Sequence, residues 1–166
     1  MRVFNETQRF NQWWLWLILG ASALVVINKP IINWIQSDFK DTSAFDTGFL
    51  IGCGTVLFVL YLFILFKLTT SIDERGISYQ FFPMQLQPKL LLWKEIEKVW
   101  TRQYRPLMEN GGWGYKWGTS GKVMTVKGNK GIQIKMKNGK SLLLGTQKMK
   151  EAQAVLNKYH TTNEGI

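Results

Sequence analysis

The sequence predicts an α+β membrane protein: a two-helix transmembrane hairpin, then a mainly antiparallel β barrel or sandwich finished by a C-terminal helix. Three observations carry that expectation. Two long apolar runs fall within the first 66 residues, hydrophobic alternation with turn signals takes over from Leu68, and a helical period returns after Thr146. A mean hydropathy of -0.08 conceals the division. Residues 1–66 hold four Lys/Arg and four acids, whereas residues 67–166 hold 17 basic groups against seven acids, so the whole net charge of +10 lies in the second part.

The second apolar run is the clearer one. Phe49 to Phe66, "FLIGCGTVLFVLYLFILF", carries no charge and with Gly48 reaches 19 residues. At 1.5 Å per residue that is roughly 28 Å of helix, which matches a hydrocarbon core of about 30 Å. No polar face exists at any helical spacing, so the core helix of a soluble domain fits poorly. The first run, Phe10 to Ile27, reaches roughly 27 Å, and its Trp13, Trp14 and Trp16 would sit at headgroup level, where indoles favour the interface. A cleaved signal peptide is the alternative, because Arg2 and Arg9 resemble its basic start and Ala21-Ser22-Ala23 its cleavage site. Leu24 to Ile27 stays apolar past that site, which favours a retained span.

The expected organisation is an N-terminal segment with helices over about 10–28 and 48–66, a β domain over 67–160, and a tail over 161–166. Between the helices, "NKPIINWIQSDFKDTSAFDT" holds two lysines and three aspartates, with Ile31, Ile32, Trp34 and Ile35 able to lie in the interface. Arg2, Arg9, Lys67 and Arg75 flank the other side, and this bias places both termini in the cytoplasm under the positive-inside rule. Cys53 is the only cysteine, so no internal disulfide forms.

From Leu68 the period shortens. "TTSIDERGISYQFF" holds two β-rich runs around a turn at Asp73-Glu74-Arg75-Gly76, and Pro83 and Pro88 end the second. "LLWKEIEKVWTRQY" reads as a short entry strand or turn and then a strand from about Lys98 to Tyr104. In "GIQIKMKNGKSLLLGT", Ile132, Ile134 and Met136 alternate with polar residues up to Asn138-Gly139, the strongest hairpin signal in the chain. A two-residue turn there would set Lys137 opposite Lys140, Met136 opposite Ser141 and Ile134 opposite Leu143. One face would then gather Lys135, Lys137 and Lys140 with Leu142 and Leu144. After Thr146, read as an N-cap, Met149, Ala152, Val155, Leu156 and Tyr159 recur at helical spacing.

The stretch "ENGGWGYKWGTSGK", Glu109 to Lys122, looks like a phosphate loop and is not one. Lys116 stands where the first glycine of a P-loop belongs and Val123 where its hydroxyl belongs. The dinucleotide fingerprint fails because Gly118 comes one residue late and no βαβ unit surrounds it. Read with period two, Trp113, Tyr115 and Trp117 share one side. Either these aromatics cap the core of the β domain, or they form an aromatic tip that meets the bilayer interface.

Catalytic constellations are missing from the sequence. His160 is the only histidine, which removes His-based triads and most zinc sites, and no metal or cofactor is expected. Asp73 and Glu74 belong to a turn, while Glu95 and Glu97 read as solvated. From Gly111 to Lys150 there are nine lysines and no acid. Lys116, Lys122, Lys127, Lys130, Lys135, Lys137 and Lys140, with Trp113, Tyr115 and Trp117, are the candidate contacts to anionic lipid or a protein partner. Each basic group near an anionic leaflet is worth about 1 kcal/mol. Nucleic acid is disfavoured, since no recognition helix or RNA-binding aromatic signature accompanies the charge.

"FNETQRFNQWWLW", "LTTSIDERGISYQFFP", "WKEIEKV", "GGWGYKWG" and "GNKGIQIKMKNGKSLLLGTQKMKEAQAVL" together resemble a family of small, uncharacterised bacterial membrane proteins with two spans and a pleckstrin-homology-like domain. Gly111-Gly112-Trp113-Gly114 and Gly145-Thr146-Gln147 carry most of the resemblance, and Lys148 stands where the family has proline. The resemblance implies a PH-like barrel or sandwich capped by the C-terminal helix, and the bacterial inner membrane as its location. It brings no established activity. The expected function is that of a membrane-anchored, noncatalytic binding or scaffolding module. The alternative is a homo-oligomerisation or protein-interaction subunit, with Leu142, Leu144 and the tryptophan strand at the contact; an enzyme with an unrecognised site is a third reading.

Overall fold

The computed structural model describes residues 3–11, 13–37, 39, 47–118 and 121–163. The chain divides into two compact units, Asn11–Leu65 and Met1–Phe10 with Phe66–Ile166. The first ten residues, which the sequence grouped with the apolar helices, therefore belong with the β strands. The architecture is α+β: two apolar helices, two sheets and a C-terminal helix.

The helical unit holds α1 (Trp13–Gln36) and α2 (Thr47–Leu65), which pack against each other. Both are long and apolar enough to cross a membrane. Not one residue of α2 is buried. The first helix departs from its expected bounds of about 10–28. It starts at Trp13 and continues through Pro30 to Gln36. The segment from Asn28, expected between the helices, continues α1 through Pro30 and over "IINWIQ" instead. Phe10, expected within the span, is buried in the β unit instead. Much of the segment between the helices lies outside the described residues.

In the β unit, β1 (Phe4–Arg9), β2 (Lys67–Ile72), β3 (Gly76–Phe82) and β4 (Lys89–Leu92) form an antiparallel sheet in that order. β1 and β2 pair from Phe4↔Ile72 to Arg9↔Lys67, so the chain leaves for α1 and returns from α2 at the same end of two neighbouring strands. A 3-10 turn at Trp93–Glu95 leads into the second sheet, whose order is β5-β8-β9-β7-β6. Its strands are β5 (Ile96–Gln103), β6 (Gly114–Gly118), β7 (Gly121–Thr125), β8 (Lys130–Met136) and β9 (Ser141–Gly145). Every pair is antiparallel except β7 with β9. The parallel pair arises because β8 serves as the crossover, folding back so that β9 enters between it and β7. The short α3 (Pro106–Asn110) sits between β5 and β6, and α4 (Met149–Asn163) closes the chain, running three residues into the segment read as a tail.

The β8–β9 hairpin corrects the expected register. Ile134 faces Leu142 and Lys135 faces Ser141. The Met136 N–H donates to the Lys140 carbonyl at 2.9 Å, and Gly139, at φ 79, donates to the Met136 carbonyl at 3.0 Å. The turn thus has three residues, Lys137 to Gly139, with glycine in the left-handed position that such a loop requires. One extra turn residue exchanges the faces. Leu142 and Leu144 join Ile132 and Ile134, and all four are fully buried. They are core residues of this chain and not available to a second subunit.

Both faces of the second sheet are covered. On one side Met124, Leu142, Leu144, Ile132 and Ile134 form the main core; on the other Val123 and Leu143 pack with Tyr104. Each such side chain contributes about 1.5–3 kcal/mol by leaving water. Helix α4 packs on β5 and β8 and on β1 and β2 through Ala152, Val155, Leu156 and Tyr159, as its periodicity required.

Candidate functional site

The aromatic strand divides residue by residue between the two readings left open by its sequence. It is β6, at the edge of the second sheet. Tyr115 turns inward: its ring centroid lies 5.8 Å from that of Phe81, Phe81 lies 5.8 Å from Phe66, and Phe66 lies 6.0 Å from Phe10. These four rings form a ladder from the residues where the chain leaves the sheet to the edge strand. Trp117, next on the same side of β6, is 74% exposed. Trp113 precedes the strand, half-buried, and its indole N–H donates to the Gly128 carbonyl at 2.7 Å. One ring therefore packs half-buried against Phe81, one is a bracket for the β7–β8 loop, and one is exposed.

Glycine at the start of β7 has a specific reason. Gly121 has φ 84, and a Cβ there would lie 2.4 Å from the Ser141 carbonyl oxygen. The first residues of β7 and β9 can approach this closely only without a side chain at Gly121.

The lysines do not gather on one surface. Lys122, opposite Trp117 across the strands, holds its ammonium 4.6 Å from the centroid of the Tyr115 ring, a cation–π arrangement. Lys137 and Lys140 are exposed beside the β8–β9 turn, at the same end of the sheet as Lys122. Lys135, one strand position away, is paired with Glu97 at 2.6 Å. Lys127 and Lys130 lie at the other end of β8, about 20 Å along the strand. Lys116 points to the opposite face of β6 from Tyr115, where its ammonium donates to the Gly111 carbonyl at 3.0 Å; burial holds its pKa below the ordinary lysine value. Of the ten candidates, Trp117, Lys137 and Lys140 are exposed, with the half-buried Lys122 at the same end of the sheet, while Tyr115, Trp113 and Lys116 have structural roles.

Glu109 and Asp73 are engaged in holding the fold. Glu109 accepts from the Arg105 N–H at 2.7 Å and from the Arg102 guanidinium at 2.8 Å, and these bonds lower its pKa. The Asp73 carboxylate accepts the N–H groups of Arg75 and Gly76 in the β2–β3 turn. Burial pushes the Tyr104 hydroxyl up to about 12. Among the described residues no three His, Cys, Asp or Glu side chains converge as metal ligands. The His160 side chain lies outside them. A groove of about 560 Å³ runs between β1 and α4, lined in part by Val3, Phe4, Lys148, Glu151 and Val155.

Little in the sequence points to Glu6 and Gln8. They lie on the buried face of β1, between Phe4 and Phe10. Glu6 accepts the Thr146 hydroxyl at 2.5 Å and the Gln147 N–H at 2.8 Å, and the Gln8 amide donates to the Gly145 carbonyl at 2.7 Å. The Gly-Thr-Gln segment is thus where the N-terminal strand is stitched to the second sheet. Alternation between two phenylalanines was the available signal, masked by the polarity of what alternates. Comparison with known proteins finds no family model and no curated relative that matches the chain.

Proposed function

We propose that this chain is a membrane-anchored, noncatalytic binding module, with α1 and α2 as a transmembrane hairpin and the β unit as a PH-like domain on the cytoplasmic side of a bacterial inner membrane. The observation that carries the reading is α2: 19 residues without a charge and without one buried side chain. An apolar surface of that extent far exceeds what soluble monomers leave in water. Arg9, Lys67 and Arg75 near the helix ends support cytoplasmic termini. Two sheets followed by a C-terminal helix support the PH-like reading, with β1 added from the N-terminal side of the hairpin.

Trp117, Lys122, Lys137 and Lys140 offer an exposed indole and three cations, suited to anionic headgroups or to an acidic protein surface at the membrane. Asp73, Glu109 and Glu97 serve a turn, a helix start and an ion pair, which favours binding over acid-base chemistry at these carboxylates. Self-association is the weaker reading, because Leu142 and Leu144 are in the core. A photocrosslinking amino acid placed at Trp117 of the full chain in native membranes tests the module reading. Adducts to lipid or to a different protein are expected. Adducts only to a second copy favour the oligomer, and no adduct at all contradicts a binding surface at β6.

A further inference from the structure

We infer that the β3–β4 turn, residues 83–88, is a bilayer-inserting tip that seats the β unit on the lipid surface through Met84 and Leu86. The inference rests on the reading of α1 and α2 as membrane spans. The turn reads "PMQLQP", and from Gly76 to Pro88 there is no charge, in a chain whose net charge is +10. Met84 is 60% exposed and Leu86 77% exposed. Their outward orientation is built in. Gln85 between them is buried, with its side-chain oxygen accepting the Phe81 N–H at 3.1 Å and its own N–H donating to the Phe81 carbonyl at 2.8 Å. The Gln80 amide donates to the carbonyls of Gln85 at 3.2 Å and Leu86 at 2.8 Å. The tip thus satisfies much of its own backbone polarity while presenting two flexible apolar side chains, the combination that a lipid environment demands.

Its place in the chain identifies lipid as the occupant. Strand register sets Arg9 beside Lys67 and Lys67 beside Phe82, so the tip begins one residue after a strand position that neighbours both chain connections. Three residues separate β1 from α1, and Phe66 alone separates α2 from β2. With strands about 4.8 Å apart and at most about 3.6 Å of reach per residue, helices that enter a bilayer bring this end of the sheet to its surface. Two cations flank the apolar tip. The Lys67 ammonium lies 5.5 Å from the Phe82 ring centroid, and Lys89 follows Pro88. Basic groups bordering exposed apolar side chains match an anionic headgroup layer above acyl chains.

The test uses the full chain with Cys53→Ala, carrying a single cysteine in place of Met84, Leu86, Met108 or Phe58, labelled with an environment-sensitive fluorophore. Each is reconstituted into phosphatidylcholine vesicles containing phosphatidylglycerol, with and without spin-labelled lipid. Met108, 79% exposed on α3, is the surface control, and Phe58 of α2 reports the anchor. The expected result is blue-shifted emission and strong quenching at positions 84, 86 and 58, with solvent-like emission at 108. Solvent-like emission at 84 and 86 with quenching at 58 overturns the inserted tip and leaves the anchor standing. Quenching at 108 equal to that at 84 and 86 overturns it too, since the contact would not be specific to this turn. Absence of quenching at 58 removes the anchor and the tip with it.

Discussion

Glu6 is a buried carboxylate that earns its place through two donors, the Thr146 hydroxyl and the Gln147 N–H. Replacing it by alanine leaves both without that acceptor, and an abandoned buried donor costs about 1–3 kcal/mol. Glu6→Ala is therefore expected to lower the stability of the β unit by about 2–3 kcal/mol, read from denaturant unfolding of the detergent-solubilised chain by tryptophan fluorescence. Glu6→Gln, which keeps an acceptor oxygen, should lose less. This residue also shows what sequence reading misses. Glu6 and Gln8 look like solvent positions, and their burial depends on β1 finding β2 across the whole helical pair. At Tyr115 and Trp117 the alternation was legible, but which of the two rings would turn inward depended on Phe81 being there to receive one.

Among the elements, α3 has the most evident pH dependence. Glu109 ties the start of this helix to Arg105 and Arg102, and both bonds need the ionised carboxylate. Its pKa in the fold is lowered from the ordinary 4.5. The stabilisation is therefore complete above the unfolded value and is lost as pH falls through the lowered folded value. Wild type should be more resistant to thermal unfolding than Glu109→Gln near neutral pH, with the gap closing as acid takes the pH below the ordinary 4.5 and through the lowered folded value. A gap that persists unchanged in acid would contradict this role. Elements differ in how far the sequence disclosed them. α2 was plain because nothing in its 19 residues opposes a span. The β8–β9 hairpin was placed correctly at Asn138-Gly139, but one turn residue more than expected exchanged the faces of Leu142 and Leu143. A turn motif marks where a chain reverses more firmly than it fixes the count.

For the molecule as a whole, the division of charge found in the sequence has a structural counterpart in two compact units. The division does not follow chain order, because the N-terminal strand crosses it. The lysine run, read along the chain as one basic face, is distributed by strand direction to both ends of β8, with Lys122, Lys137 and Lys140 at one end and Lys127 and Lys130 at the other. The account depends on the apolar pair living in lipid, where its side chains need no protein cover. Alkaline carbonate extraction of membranes containing the full chain measures this most directly. The account predicts that the protein stays in the membrane pellet. Recovery in the supernatant as a folded, monodisperse soluble species would contradict it.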